Sequence, residues 1–375
     1  ARSGGLSDDE FVAIVESLDE AVAAVDGHGF RITPIHRAPN LAEALGVADA
    51  WTKDETGNVS GTHKARHLMG TMLWLRVAER IFPDDRRSVA APLAIASCGN
   101  AALAAAVVAR AADRPLETFI PTRANPRVVE RLRALGARLC VCERQEHESG
   151  DPCYLGFRRS VNEGALAFGC QTADSAPNLD GGRTLGWELA SGDESHLPDD
   201  LFIQVGGGAL ASACIQGLRE ARDLGALRQM PRIIAVQTEA VSPLCRAYDR
   251  VIETLLDHLP AVAADAPPAS DRPARARFVH DAAPDSLRDD VLRYAATHRS
   301  AYMWTWENEP RSVADAILDD ETYDWLEVVR GMLETAGFPV VVSEDRLREA
   351  HALARRTTDI PVDVNGSSGL AGALE

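Results

Sequence analysis

Lysine is almost absent from this sequence. Of the 39 lysines and arginines among the 375 residues, only Lys53 and Lys64 are lysines. Acidic residues number 56, which gives a net charge of −17. Nucleic acids and anionic membrane surfaces attract basic proteins, so we expect neither as a partner. No apolar run approaches the roughly 20 residues that a membrane-spanning helix needs.

The seven cysteines are an odd number without regular spacing, which does not suit a disulfide framework. The first residues show no secretory pattern, so we expect a cytoplasmic protein with reduced thiols. Cys140 and Cys142 share one face of a strand in RLCVCER, and His147 follows them. That spacing also suits a metal site, but no second pair of ligands accompanies it. Packed thiols without a metal are therefore the preferred interpretation.

Strand-like and helix-like segments alternate from about residue 90. Gly136 ends one of these helices, as glycine often does. Strand–helix–strand alternation with short connections predicts parallel sheets with right-handed crossovers. The alternating segments are SVAAPLAIAS, CGNAALAAAVVARAA, LETFIPT, NPRVVERLRALGA and RLCVCE, followed in a second region by DDLFIQ, ALASACIQGLREAR and PRIIAVQTE.

Residues 255–306 differ from this pattern. The stretch LPAVAADAPPASDRPARARF is rich in Pro, Ala and Asp and shows no helical or strand period. We therefore expect an exposed, mobile insertion or lid rather than a core element. Beyond it, residues 323–357 predict a helix, a strand and a helix, and PVDVNGSSGLAGALE predicts a loop that enters a helix.

Three consecutive glycines, Gly206 to Gly208, lie between a predicted strand and a predicted helix. Such a turn presents backbone N–H groups at the positive end of a helix, which suits a phosphate. The run is neither the G-x-G-x-x-G fingerprint nor a P-loop, since no Gly-Lys-Ser/Thr follows. A tight turn alone explains the glycines equally well.

A second loop, ASCGNAALA (residues 96–104), also joins a strand to a helix. The Ser97 hydroxyl and the N–H groups of Gly99, Asn100 and Ala101 suit a carboxylate. The alternative is a helix N-cap formed by the Ser97 or Asn100 side chain. The two interpretations are compatible.

The third loop is VSGTHKARH, which places Lys64 behind a run of small residues. A solvated surface lysine is the simple interpretation. A partly desolvated lysine, however, can form an imine with an aldehyde. A phosphate cradle, a carboxylate cradle and such a lysine are together what an enzyme that uses pyridoxal phosphate requires.

These segments resemble the tryptophan synthase β / threonine synthase / serine-threonine dehydratase superfamily, the fold type II pyridoxal phosphate enzymes. VSGTHKARH resembles its lysine segment, SCGNAALA its Ser-x-Gly-Asn loop and VGGGALAS its phosphate loop. PNLDGGRTLGWEL resembles a helix start of the family, with Arg183 in place of a more usual Gln or Lys. TPIHRAPNLAEALG and AVQTE are similar to further segments, and all of them occur in the family order.

The resemblance implies an α/β fold with two open, twisted, parallel sheets and flanking helices, as in tryptophan synthase β, and a cofactor cleft between two domains. The large domain is expected to comprise residues 1–67 and 185–375, and the small one residues 68–184. A homodimer that acts on a small amino acid is also implied.

The cofactor implied by the resemblance is pyridoxal 5'-phosphate, held as a Schiff base by Lys64, with Asn100 at its 3′-oxygen. The implied phosphate ligands are Gly206, Gly207, Gly208, Ala209 and Leu210, and the implied substrate-carboxylate loop is Ser97, Cys98, Gly99, Asn100 and Ala101.

His63 before the lysine is as in tryptophan synthase β, whereas many dehydratases and threonine synthases carry Phe there. It either tunes Lys64 or the phosphate or is simply a packed histidine. One feature departs from the family pattern: the family places a Ser, Thr or Cys of a final strand at the pyridine nitrogen, whereas this sequence ends earlier, at GLAGALE. Either the chain is truncated or the nitrogen is met otherwise; Ser367 and Ser368 are candidates, although they align with an earlier Glu-Pro-Ser-Gly-Ala segment of the family.

The expected reaction is an α,β-elimination of the ammonia-lyase type on a small hydroxy or β-substituted amino acid. A threonine synthase-like replacement is the alternative, because GNAALA and DGGRT also fit that branch. The loop lacks the Glu of the corresponding tryptophan synthase β segment, which argues against replacement by indole. A non-catalytic protein that binds the cofactor or an amino acid is the third hypothesis.

Overall fold

The structure, a computed structural model, divides into two compact units. The first unit contains Ala1–Pro34 and Glu55–Thr184, and the second contains Ile35–Asp54 and Leu185–Glu375. The structure describes residues 4–85, 91–144, 150–191, 198–305 and 310–375, so the predictions for His147 and for part of SVAAPLAIAS lie outside the described residues.

Helices and short strands alternate along the described residues. The strands are β1 (Ile35–Arg37), β2 (Trp51–Lys53), β3 (Leu93–Ala96), β4 (Leu116–Pro121), β5 (Arg138–Cys142), β6 (Leu166–Ala167), β7 (Asp200–Gln204), β8 (Arg232–Thr238) and β9 (Phe338–Val342). The helices are α1 (Asp8–Asp26), α2 (Pro39–Leu45), α3 (Lys64–Ile81), α4 (Asn100–Ala111), α5 (Pro126–Ala134), α6 (Pro152–Asn162), α7 (Asn178–Gly182), α8 (Thr184–Ala190), α9 (Ala209–Asp223), α10 (Pro243–Asp257), α11 (Arg272–Ala282), α12 (Asp285–Thr297), α13 (Trp325–Glu334), α14 (Glu344–Thr357) and α15 (Val364–Ala373).

A four-stranded sheet in the order β5-β4-β3-β6 organises the first unit, and its neighbouring strands are all parallel. A helix lies between each strand and the next along the chain, as parallel pairing requires. On one side of this sheet Phe119 of β4 packs with Phe157 of α6, which is fully buried. The strand–helix alternation predicted from the sequence is confirmed here.

Helix α1 shows why the chain before residue 34 belongs to this unit. It begins with a capping box, in which the Ser7 hydroxyl accepts from Glu10 N and the Glu10 carboxylate accepts from Ser7 N. Its buried face packs against α3 and the alanine-rich α4, whose small side chains allow close approach. The sequence-based division grouped residues 1–67 with the later segment, whereas the contacts place 1–34 and 55–67 with the unit that ends at Thr184.

The second unit contains a three-stranded parallel sheet in the order β7-β8-β9 and a two-stranded antiparallel sheet formed by β1 and β2. From Ile233 to Thr238 every residue of the central strand β8 is buried, as expected for a parallel strand covered on both faces. Ile215 and Leu218 of α9 and Leu244 of α10 are fully buried in the main core of this unit.

The expectation of an exposed insertion at residues 255–306 is wrong for much of that stretch. Residues 272–282 and 285–297 form α11 and α12, and both helices pack on α10 and α13. In α11 the buried residues Ala276 and Val279 lie three positions apart, and in α12 Val291 and Ala295 lie four apart. Each helix therefore buries one narrow apolar stripe in the core. The proline-rich stretch before Arg272 concealed this period.

The predicted fold class, α/β with parallel sheets and flanking helices, is confirmed by both units. Within the described ranges, no helix is both long enough and apolar enough to cross a membrane.

Candidate active site

Lys64 is the first residue of α3 and follows a tight turn. Asn58 begins the turn, where its side chain accepts from Val59 N at 2.8 Å. Ser60 and Gly61 both adopt left-handed backbone conformations, with φ of 57° and 68°. The Thr62 hydroxyl then accepts from Lys64 N at 3.3 Å. The run of small residues noted in the sequence therefore makes the chain reversal that places a lysine at a helix N-terminus.

The two lysines of the chain differ in their surroundings. Lys53 Nζ lies 2.6 Å from Glu188 Oε2, and both side chains are nearly buried. Lys64 is half-buried, and no carboxylate of the described residues lies within ion-pair distance of its amine. Within the part of the chain that the structure describes, its amine is thus not committed to an ion pair.

A buried ion pair fixes the first turn of α3. Arg66 is 5% exposed, and its Nε and Nη2 donate to the two carboxylate oxygens of Glu55, both at 2.9 Å. Its Nη1 also donates to Thr184 Oγ1 at 3.1 Å. Glu55 lies before the turn at residues 58–62, and Arg66 lies after it. The bidentate contact therefore fixes the two ends of the loop that carries Lys64.

Two histidines lie near Lys64: His63 is the N-cap residue of α3, and His67 lies on the helix itself. Burial lowers the pKa of His63 well below its ordinary value, and the charge of Lys64 acts in the same direction. Burial likewise lowers the pKa of His67 to about 4, again assisted by Lys64. Both rings are therefore neutral near pH 7. His67 Nδ1 is buried and has no hydrogen-bond partner within the described ranges.

Sequence reasoning singled out His63 and overlooked His67, Arg66 and Glu55. The spacing of the two histidines, i and i+4, places them on one helix face and was visible in THKARH. The Glu55–Arg66 pair had no such signal, because its partners meet only after the turn at residues 58–62 has formed.

Helix α3 is held against α7 by direct backbone contact. A methyl group placed on Gly181 would lie 1.8 Å from Arg66 O, and one on Gly70 would lie 2.4 Å from Gly181 N. The segment PNLDGGRTLGWEL therefore supplies glycines that permit this approach. Arg183, the departure noted there, pairs with Asp180 of the same segment at 2.9 Å.

The loop after β3 carries the predicted carboxylate ligands. Its backbone continues the sheet, since Ser97 N donates to Phe119 O at 3.2 Å. The Ser97 hydroxyl accepts from Gly99 N at 3.4 Å, and neither it nor Asn100 forms a side-chain cap on α4. The N-terminus of α4 thus lacks a side-chain acceptor, and Cys98, Asn100 and Ala101 are half-buried beside it.

The glycine turn, Gly206 to Gly208, joins β7 to the 15-residue helix α9. Gly208 has a φ of 95°, which favours glycine, and α9 has no side-chain cap. The carbonyls of the turn are all used, since Gly206 O accepts from Thr322 Oγ1, Gly207 O from Asp324 N and Gly208 O from Ser212 N.

An acidic side chain lies against the same turn. A methyl group on Gly206 would come within 2.2 Å of Asp319 Oδ2. One on Gly207 would lie 3.5 Å from Asp319 Oδ1 and 3.1 Å from the Tyr323 ring. Nothing in the sequence motif VGGGALAS indicated this neighbour, which comes from more than 100 residues downstream.

Ser367 and Ser368, the candidates for the pyridine nitrogen, lie on α15 and are buried. The Ser368 hydroxyl donates to Val364 O at 2.8 Å, and that of Ser367 donates to Asp363 O at 3.0 Å. Ser367 Oγ is also 3.3 Å from His351 Nδ1. Both hydroxyls thus bond within the helix, a common arrangement for serine inside helices.

The residues present fit pyridoxal phosphate. The glycine turn has no room for side chains, and it opens a long helix without a side-chain cap, as a phosphate site requires. The loop after β3 also leads into a helix that has no side-chain cap. Lys64 offers an amine without an ionic partner within the described part of the chain.

Comparisons with known proteins agree with these features. The family model described as "Pyridoxal-phosphate dependent enzyme" matches residues 28–284. A threonine synthase of Methanosarcina acetivorans is 24% identical over 218 residues, which are 57% of this chain and 49% of that protein. The chain thus spans about half the length of the curated relatives it matches.

Among solved structures, maize serine racemase has a TM-score of 0.63 at 17% identity, and the match covers 96% of this chain and 86% of that one. The L-serine ammonia-lyase of Rhizomucor miehei has a TM-score of 0.63 at 18% identity, with 92% and 86% covered. At these identities the likeness concerns the fold. Because the family model covers more than half of its length, the chain belongs to the pyridoxal-phosphate-dependent enzymes.

Proposed function

We propose that this protein uses pyridoxal 5'-phosphate to eliminate ammonia from a small amino acid that carries a β-hydroxyl or another β-leaving group. The observation that carries the proposal is Lys64, which begins α3 and has no ionic partner among the described residues. A lysine that binds this cofactor needs an amine free to react with an aldehyde, and the other lysine of the chain is paired with Glu188.

The phosphate is assigned to the glycine turn. N–H groups at the positive end of a helix attract an anion, and each such interaction stabilises it by about 0.3–1 kcal/mol. The lack of a side-chain cap on α9 supports this role. The proposed ligands are the amides of Gly206, Gly207, Gly208, Ala209 and Leu210.

The substrate carboxylate is assigned to the loop after β3, whose helix also begins without a side-chain cap. Asn100 has a side-chain amide that can donate to the 3′-oxygen of the cofactor. The proposed carboxylate ligands are Ser97, Cys98, Gly99, Asn100 and Ala101.

When bound, the cofactor supplies an electron sink at the substrate Cα. With the cofactor bound, the amine of Lys64 would be the base that accepts the Cα proton. The neutral rings of His63 and His67 add no charge to the surroundings of the Lys64 amine. Loss of the β-hydroxyl as water, and the return of water, convert the hydroxy amino acid into a 2-oxo acid and ammonia. The reaction needs no oxidant or reductant.

Replacement of the leaving group is the second candidate. It is supported by the sequence relative in Methanosarcina acetivorans, whose name is threonine synthase. Lys64 would accept a substrate proton in the same way, but a nucleophile, which can be water itself, would add to the substrate carbon in place of the leaving group and the amino group would be kept. A protein that binds the cofactor without turnover is the third candidate.

We also propose that the chain forms a homodimer in solution. Light scattering of the purified protein should give twice the mass of one chain. A monomeric mass at micromolar concentration would contradict this proposal without affecting the assignment of Lys64.

The cofactor proposal is tested with the two lysines as a matched pair. Lys53→Arg and Lys64→Arg both keep the charge, so only the primary amine is lost. Wild type and Lys53→Arg should stay yellow after unbound pyridoxal phosphate is removed, and borohydride should add one pyridoxyl group to the intact mass. Lys64→Arg should do neither. Equal labelling of Lys64→Arg, or no labelling of wild type, contradicts the proposal.

The reaction is tested with serine, threonine and O-phosphohomoserine. Ammonia and oxo acid in equal amounts from the first two indicate elimination. Phosphate release without oxo acid from the third indicates replacement. Formation of the D-amino acid, measured in parallel, would indicate racemisation instead, the activity for which the maize structural neighbour is named.

A further inference from the structure

The glycine turn is covered by residues 315–324 of the same unit. Thr322 is fully buried, and its hydroxyl lies 3.0 Å from Gly206 O and 3.3 Å from Gln237 Nε2 of β8. Asp324 N donates to Gly207 O at 3.0 Å, and its carboxylate accepts from Ser212 Oγ of α9 at 2.9 Å. These bonds fix the segment on the turn at two successive carbonyls.

Asp319 lies at the point where this segment comes nearest to the turn. Its carboxylate occupies the space in which side chains on Gly206 and Gly207 would stand, with Oδ2 nearest to the first and Oδ1 to the second. The backbone of Ile317 completes the contact, 2.9 Å from a methyl group built on Gly206. An anionic group is therefore packed directly on the turn that suits an anionic ligand.

Two anions at one helix N-terminus oppose each other. Their repulsion is strong where protein replaces water, and the turn is only partly exposed. A carboxylate at this position therefore lowers the affinity of the turn for a phosphate dianion, unless the segment carrying it moves away.

We infer that Asp319 sets the affinity of the glycine turn for the phosphate of its ligand, by holding a competing negative charge against Gly206 and Gly207. This inference rests on the proposed phosphate role of the turn. It makes the segment of residues 315–324, together with the glycines, a determinant of cofactor affinity.

The test compares Asp319→Asn with Asp315→Asn. The two variants lose the same charge from the same segment, but Asp315 is exposed and bonds with Asn365 away from the turn. Asp319→Ser is a second variant, in case the amide disturbs the packing. Dissociation constants are measured for pyridoxal phosphate by absorbance and for inorganic phosphate by calorimetry, the latter in a Lys64→Arg background.

Asp319→Asn should bind both ligands about tenfold more tightly than its parent protein, and Asp315→Asn should match the parent. The inference is overturned if Asp319→Asn and Asp319→Ser bind the two ligands no more tightly than the parent protein. It is also overturned if Asp315→Asn gains as much affinity, because the overall negative charge of the protein would then explain the effect. Because inorganic phosphate needs no lysine, tighter phosphate binding upholds the inference even if pyridoxal phosphate fails to attach to Lys64. Full attachment of pyridoxal phosphate in all variants, with equal dissociation constants for both ligands, upholds the cofactor and rejects the role of Asp319.

Discussion

At the scale of single residues, the Glu55–Arg66 pair is the contact on which the position of Lys64 depends most directly. Arg66→Ala leaves the nearly buried Glu55 carboxylate without its ionic partner, which costs about 3–5 kcal/mol in unfolding free energy. Among the described residues, only the Thr33 hydroxyl and the Asn58 amide still donate to that carboxylate. Arg37, exposed and paired with Asp49 at 3.0 Å, is the control, and Arg37→Ala should cost far less, because solvent screens an exposed ion pair. Urea denaturation measures both, and equal losses would contradict the argument.

His67 provides a prediction about pH. Its pKa is about 4 in the folded chain and near 6.5 when unfolded, so the unfolded state binds more protons between those values. The contribution of His67 to the unfolding free energy is fully present above pH 6.5. It decreases as the pH falls and is lost as the pH passes through 4. The expected slope approaches about 1.4 kcal/mol per pH unit for this one group.

The variant His67→Gln removes this titration and keeps a polar side chain of similar size. Its unfolding free energy should fall less than that of wild type between pH 7 and pH 4.5. Burial and the charge of Lys64, the two main causes of the lowered His63 pKa, remain in both proteins. Parallel pH profiles for the two proteins would show that His67 does not titrate in this range.

At the scale of elements, the contact between α3 and α7 depends on glycine. Gly181→Ala would place a methyl group 1.8 Å from Arg66 O, so the helices must separate, at a cost of about 1–3 kcal/mol or more. Gly169→Ala is the control, because its methyl group would meet the nearest atom at 3.5 Å, an ordinary contact. Thermal unfolding followed by circular dichroism compares them, and an unaffected Gly181→Ala would mean that the helices adjust freely.

The elements also show what a sequence can predict. The strands β3, β4 and β5 and the helices between them were predicted within a few residues, because each carries its own period and stop signal. Helices α11 and α12 were missed because their apolar stripes are too narrow to give a clear helical period in the sequence. The stripes consist of Ala276 and Val279 in α11 and of Val291 and Ala295 in α12. Long-range partners left no local signal, which is why Asp319 beside Gly206 was not foreseen.

At the scale of the whole molecule, ligand binding should raise thermal stability through mass action. At 100 times its dissociation constant, pyridoxal phosphate should stabilise the chain by about 2.7 kcal/mol. For a unit of this size that corresponds to a rise of about 5–10 °C in melting temperature. Lys53→Arg should show the full rise and Lys64→Arg a much smaller one, measured by differential scanning calorimetry. A full rise in Lys64→Arg would mean that the covalent contact adds little to binding.

The contrast between the two lysines also determines how the polypeptide can be cut and mapped. A protease that cleaves after lysine would divide the unfolded chain into residues 1–53, 54–64 and 65–375. The middle peptide has eleven residues and ends at Lys64, so a group fixed on that side chain would block the second cut and remove the peptide from the digest. In the folded chain, an acylating reagent should reach Lys64 before Lys53, whose amine is held 2.6 Å from Glu188. The arginine-rich composition thus leaves only two lysine side chains, of which Lys64 is the more chemically addressable without any engineered label.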